Sequence, residues 1–436
     1  MSGAPLLDRV LADGAVPGGG SLVKIGGGLV VAGVVGLGLG FAAAGDRGAA
    51  WTGLLTATAI VAGVAMVGPL LSAIFQMTGA RWGRVYRRLA EGSVVLMPVA
   101  LVGVVILMAG GNDYLPWVHD HPHLGGKAVW LTRGFWDARL LLFLAASYTV
   151  GLAFVRLSLR RDFCLPEVRA RYKGRIADLV SKGLTDANAS DEAARCERRM
   201  STLAPVVAIV YGLAFTVLGI DLIMALEPDW FSTLFGAWYF IGNVFVGLAL
   251  LAIGSVAFAR RSALGHLFSR KRQSDLATLL IAFCLINVDF FWNQYLTIWY
   301  ANLPEETFYL IERTADTSLP WRNLSFVSLA AFFLIPFTML LLRRVKRSGA
   351  LLTAVAAVSL AGVFLARFIE IAPALLETNE AGGVSVAMPL VSSALIFAGF
   401  LGGGLLLYQG WLAGAPAMAV GDEILAAEAA GEGGHP

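Results

Sequence analysis

Apolar runs longer than about 20 residues recur along the whole chain, and a helix of that length crosses the roughly 30 Å hydrocarbon core of a bilayer. Such runs cannot stay in water, and their backbone amides cannot go unpaired in lipid, so each must fold as a helix. They define ten spans, 22–44, 51–78, 85–109, 134–159, 202–226, 231–259, 274–300, 321–343, 349–372 and 388–413. The sequence therefore predicts an all-α polytopic membrane protein. Composition agrees: 57% of the 436 residues are hydrophobic and 14% charged, against about 25% charged in soluble proteins. That gap excludes a water-soluble globular enzyme. The 50 glycines fall mostly inside the apolar runs, where they read as helix-packing residues rather than as disorder.

Charge sorts the connections between spans. Arg81, Arg84, Arg87 and Arg88 follow span 2, and a dense basic stretch runs from Arg156 to Arg199. Arg260, Arg261, Arg270, Lys271 and Arg272 follow span 6, and Arg343, Arg344, Lys346 and Arg347 follow span 8. On the other side lie only the basic residues Arg47, Lys127, Arg133, Arg313 and Arg322, together with the acids Glu227, Asp229, Glu305, Glu306, Glu377 and Glu380. By the positive-inside rule, both termini are expected in the cytoplasm. The same rule accounts for the basic loops without a nucleic-acid partner. Three parts follow: a cytoplasmic segment 1–21 lacking the features of a cleaved signal peptide, a transmembrane domain 22–413, and an acidic tail 414–436 expected to be flexible. The polar stretch from Asp178 to Met200 reads as an amphipathic interfacial helix.

Few groups are suited to hold a cofactor. Cys164, Cys196 and Cys284 are far apart and too few for an iron–sulfur cluster. All five histidines lie in loops or the tail, so none is placed to ligate a haem within a span. His119, His121 and His123 alternate, and imidazoles two apart in an extended segment share a side. With no fourth ligand indicated they read as a solvated loop, and no metal site is assigned.

Ionisable residues inside spans are costly and so mark function. They are Asp137 and Arg139 in span 4, Asp221 in span 5, Asp289 in span 7, and Arg367 and Glu370 in span 9. All gather toward the low-charge side, and Asp289 is the deepest, roughly 16 Å in. In span 7, Asp289 and Asn293 share one face and Asn287 and Gln294 another, so this helix is expected to turn away from lipid. Arg139 is the natural counter-charge for Asp221, which precedes the turn at Glu227. Arg367 and Glu370, three apart, read either as a structural ion pair or as part of a proton pathway. Glycines give a second signal. Gly26, Gly33, Gly36 and Gly40 stripe span 1, and Gly399, Gly402, Gly403 and Gly404 stripe span 10, so both terminal helices are expected to pack closely on other helices.

Two segments are more distinctive than composition: Asp221-Leu-Ile-Met-Ala-Leu-Glu-Pro-Asp-Trp-Phe-Ser-Thr-Leu-Phe-Gly236, and Gln294-Tyr-Leu-Thr-Ile-Trp-Tyr-Ala-Asn-Leu-Pro-Glu-Glu306. With Gly126-Lys127 to Arg139 and the run from Arg343 to Arg347, the chain resembles the second quinone-binding-type membrane subunit of bacterial alternative complex III, a quinol:cytochrome c oxidoreductase. That subunit belongs to the polysulfide-reductase-like (NrfD-like) membrane family. The usual Asp-Pro of the first motif is Glu227-Pro228 here.

The resemblance implies two four-helix bundles, about 51–226 and 231–372, flanked by the first and last helices, in the bacterial inner membrane. It implies no cofactor bound by this chain. Partners would be a homologous membrane subunit, an iron–sulfur subunit and haem c subunits that carry the redox groups. Within such a complex the chain is expected to be a non-redox subunit supporting assembly and an outward-facing proton pathway through Asp289, Asn293, Asp221, Arg139, Arg367, Glu370 and Glu227. Two alternatives stay open. Quinol itself would bind in a pocket of Trp299, Tyr295, Gln294 and Trp238, or the chain is a proton-linked secondary transporter, which needs helices broken in matching places.

Overall fold

The computed structural model describes residues 6–12, 19–42, 47–119, 125–316, 319–376 and 385–431. Ten helices among them are long and apolar enough to cross a membrane: α1 (Gly20–Ala42), α2 (Gly48–Thr78), α3 (Trp82–Tyr114), α4 (Arg133–Phe163), α5 (Ala189–Leu226), α6 (Phe235–Arg261), α7 (Arg270–Ala301), α8 (Trp321–Leu341), α9 (Gly349–Leu375) and α10 (Ala387–Gly414). There are no strands among the described residues. The chain is a multi-pass membrane protein. Each helix matches one span read from hydropathy. The main difference is α5, which takes in the polar residues from Ala189 to Met200. The proposed interfacial helix is therefore the first turns of a spanning helix, preceded by a separate short one at Arg175–Ser181. Asp191 and Glu192 in the first turn of that helix favour its starting there, because acids stabilise a helix N-terminus.

At the centre stands α2, whose apolar stretch is wholly buried. It carries no charged residue, and Ala, Gly, Val and Thr dominate its central run, so helices can close around it. It packs against α3, α4 and α5 on one side, α6 and α9 on another, and the α1–α10 pair on a third. The glycine stripes meet: a Cβ on Gly33 would fall 2.6 Å from the Gly399 Cα, and one on Gly402 would fall 2.7 Å from the Gly26 carbonyl oxygen. Only glycine permits that approach.

Three of the prolines inside spanning helices, Pro69, Pro336 and Pro373, withhold a backbone N–H and free a carbonyl four residues earlier that another group then caps. A neighbouring helix or turn supplies the missing donor in each case, as a bilayer requires. For Pro69 it is the Ser93 hydroxyl, 3.0 Å from the Ala65 carbonyl. For Pro336 it is the Cys284 thiol, 3.4 Å from the Phe332 carbonyl, beside a π-turn at Ala330–Leu334. For Pro373 it is the Arg313 guanidinium, whose Nε donates to the Ile369 carbonyl at 3.2 Å.

The end of the bundle that carries the arginine-rich connections, called the basic end below, is closed by a buried ion network. Arg84, Arg87 and Arg161 converge on Asp422 Oδ2 at 2.7, 2.8 and 3.2 Å. Arg88 bridges Glu91 and Asp162, and the Gly421 amide donates to Asp162 at 2.8 Å. Burial opposes ionisation of Asp422, but Arg161, Arg84 and Arg87 outweigh it and hold the carboxyl down at about 2. The tail expected to be flexible is thus docked through at least Leu425, with Met418, Ala419 and Asp422 buried. Acidic composition implied mobility, whereas one acid had an arginine socket to fill.

Candidate functional site

At the opposite end, α5 stops at Leu226 and the chain turns through Glu227, Pro228 and Asp229 into α6. Asp221, buried near this end, is held from four directions. Arg139 Nε and Nη2 donate to its two carboxylate oxygens at 3.0 and 2.8 Å, and Trp130 Nε1 donates at 3.1 Å. Trp136 Nε1 caps the Asp221 carbonyl at 2.9 Å, and the Arg139 guanidinium lies 3.8 Å from the Trp130 ring centroid. Bidentate pairing with aromatic cover leaves no open atom on this carboxylate. The pair ties α4 to α5 as a structural clamp. Asp137 pairs instead with Arg133, four residues away at 3.0 Å.

A second group forms where α9 meets the turn after α5. Arg313 comes from a π-turn at Ile311–Ala315, between α7 and α8. Its Nη2 donates to Glu227 at 3.1 Å and its Nη1 to Glu312 at 2.8 Å, while Nε holds the Ile369 carbonyl freed by Pro373. The guanidinium lies 3.7 Å from the Tyr309 ring, and Trp230 stacks on the far face of that ring at 3.8 Å. Burial lifts the Glu312 carboxyl above its ordinary value, and the charge of Arg313 only partly offsets it.

One step deeper, Arg367 pairs with Glu370, and its Nη2 reaches the Trp238 and Tyr239 carbonyls at 3.4 Å. Gly242 admits this guanidinium, since a Cβ there would fall 2.7 Å from Nη2 and 3.3 Å from Asn287 Oδ1. Unlike Asp221, this group is incompletely paired. Glu370 Oε1, Arg367 Nε and Asn287 Oδ1 are buried without a hydrogen-bond partner among the described residues. Asn243, fully buried against Gly63 of α2, likewise has both amide atoms open. Open polar atoms at this depth are costly, so their clustering is a functional signal.

The structure divides the two pairs read on α7. Asn287 and Gln294 face inward, and Gln294 Oε1 accepts from Ser232 at 3.1 Å. Asp289 and Asn293 face outward and are exposed. The Asn293 amide donates to the Asp289 carbonyl at 2.8 Å, and Thr297 donates to the Asn293 carbonyl at 2.9 Å. The Asp289 carboxylate itself makes no hydrogen bond or ion pair among the described residues. Trp299 and Tyr300, also exposed, mark the level where aromatic side chains favour the membrane–water boundary. Asp289 lies ten residues before Trp299, roughly 15 Å deeper, which is near mid-bilayer. Within this chain, α7 thus presents Asp289 and Asn293 on the outer face of the bundle rather than to another of its own helices. Among the described residues, no hydrogen bond or ion pair joins the Asp289 or Asn293 side chain to Asp221, Arg139 or the Arg367 group.

The quinol pocket read from sequence does not assemble as one enclosure. Trp238 is buried beside Arg367 and reaches Tyr295 only through Phe291, with centroid spacings of 5.7 and 6.3 Å. Trp299 is 62% exposed and points outward. Cys164, Cys196 and Cys284 are buried and form no disulfide. His121 and His123 lie outside the described residues. Sequence reasoning missed Arg313, Glu312 and Tyr309. The signal for Arg313 was there: it is one of the few basic residues on the side that the charge rule depletes.

No family model matches the chain, and no curated protein matches it.

Proposed function

We propose that this chain is a non-redox membrane subunit of a quinol:cytochrome c oxidoreductase of the alternative complex III kind, working beside a second membrane subunit and iron–sulfur and haem c subunits. The observation that carries the subunit reading is the outer face of α7. A carboxylate exposed near mid-bilayer costs about 2.5–3.5 kcal/mol even on the mildest scale, and Asp289 has no counter-group among the described residues of its own chain. A partner helix that covers it removes that cost. The type of complex rests on the two motifs; in the first, Asp221 and Glu227 both occupy ion pairs that shape the end of the bundle.

The polar group of Glu312, Glu227, Arg313, Glu370, Arg367 and Asn287 is the best proton route in the chain, entered from the end opposite the basic one. Glu370 is its working residue: Arg367 occupies one carboxylate oxygen and leaves the other open. The orientation read from the basic connections puts this route on the outer side, where quinol oxidation in such complexes releases protons.

Affinity purification of the tagged chain from its native membranes in a mild detergent tests the reading. Haem c absorbance and iron–sulfur spectra should copurify in fixed ratio with quinol-dependent cytochrome reduction. A chain that purifies alone, or with partners lacking those spectra, overturns it. Within an active complex, Glu370→Gln should lower protons released per quinol while assembly persists; an unchanged ratio removes the proton role.

A further inference from the structure

An apolar cleft of about 480 Å³ opens toward the basic end, between the α1–α10 pair and α6, with α2 and α3 as its floor. Leu29, Leu71, Leu89, Leu250 and Leu405 supply its walls, and the volume falls within the roughly 300–1,000 Å³ range of small-ligand sites. The cleft cannot close by simple collapse. On one side α1 and α10 are locked together at Gly33 and Gly399. On the other, α6 is pressed on α2, where a Cβ on Gly247 would fall 2.5 Å from a Val67 methyl.

The polar atoms of the wall are spoken for. Tyr408 donates to the Leu89 carbonyl at 3.3 Å, Ser255 to the Ala252 carbonyl at 3.0 Å, and Ser93 repairs the break at Pro69. Arg261 is different. It lines the cleft at the last residue of α6, is exposed, and makes no ion pair or hydrogen bond among the described residues. An apolar slot with one free guanidinium at its mouth, at the end of a spanning helix, matches an acyl chain joined to a phosphate.

We propose that this cleft holds one anionic phospholipid of the leaflet at the basic end, an acyl chain lying between α6 and the α1–α10 pair and the headgroup phosphate on Arg261. The inference does not depend on the respiratory assignment. It would hold for any protein with this cleft.

Native mass spectrometry of the full-length protein, released from detergent and titrated with phosphatidylglycerol or phosphatidylethanolamine, tests it. The wild type should retain one phosphatidylglycerol more tightly than later additions and more tightly than phosphatidylethanolamine. Arg261→Ala should weaken that first binding by about tenfold or more, and Arg261→Lys should restore part of it. A second variant works through shape. Nothing lies within 4 Å of a Cβ built on Gly254, which lines the cleft, so Gly254→Leu should fold normally and expel the lipid. Equal first binding by wild type, Arg261→Ala and Gly254→Leu overturns the proposal. So does displacement of phosphatidylglycerol by an equimolar isoprenoid quinone, which would make the cleft a quinone site.

Discussion

The two ends of the bundle handle buried charge in opposite ways. At the basic end, Arg84, Arg87, Arg88 and Arg161 face Glu91, Asp162, Glu197 and Asp422, and the anions form a shared scaffold that recruits the chain's own tail. There the atoms left open are the Nε donors of Arg84, Arg88 and Arg161, while both oxygens of Glu91, Asp162 and Asp422 are bonded. At the opposite end, Arg139 and Asp221 are closed in the same manner, but the group from Arg313 to Asn287 leaves the acceptors Glu370 Oε1 and Asn287 Oδ1 open. Further out, Asp289 is left to the surroundings entirely. A buried carboxylate with both oxygens bonded fixes structure, and one with an oxygen left open is kept at a cost in stability, which points to a use. Position inside a membrane is therefore a weaker guide to function than what remains unpaired there.

Substitutions can break this contrast. The largest effect is expected at Arg313, which serves both as ion partner and as donor to the carbonyl freed by Pro373. Arg313→Ala should cost about 3–5 kcal/mol, as for removal of one partner from a buried pair, and should lower the thermal unfolding temperature of the purified protein sharply. Asp422 comes next. Its carboxyl is held at about 2 against an ordinary 3.8, a depression that corresponds to about 2 kcal/mol of docking free energy. Because the folded value is lowered, that contribution is full above pH 3.8 and is lost as pH falls toward 2. Asp422→Asn should release the tail at neutral pH, read as new proteolytic cleavage after Gly414, whereas the wild-type tail should resist cleavage until the pH drops below that window. The smallest effect belongs to Cys284→Ala, which leaves the Phe332 carbonyl without its thiol donor. A loss of about 1 kcal/mol is expected, with no change at either ion network.

Much of the fold was legible because hydropathy and length alone decide which segments cross a bilayer. The glycine stripes of α1 and α10 also carried their meaning openly, since small residues at helical spacing have few other uses. The candidate site was harder. Spacing on α7 sorted Asp289 with Asn293 and Asn287 with Gln294, but no spacing within one helix says which face its neighbours cover. Arg313 was hidden for a different reason. It sits in a connection by hydropathy, and its role arises from a π-turn and from Pro373, which lies far from it in sequence and is brought to it only by three-dimensional packing.

The central claim is that another membrane chain covers the outer face of α7. A photoreactive phenylalanine analogue at Asn293, activated in native membranes, tests it most directly. One discrete crosslink to a second membrane polypeptide of the same purified complex, lost when the analogue is moved to an exposed position on α4 such as Leu142, is the predicted result. Crosslinks to lipid alone would show that Asp289 faces the bilayer, and would contradict the account.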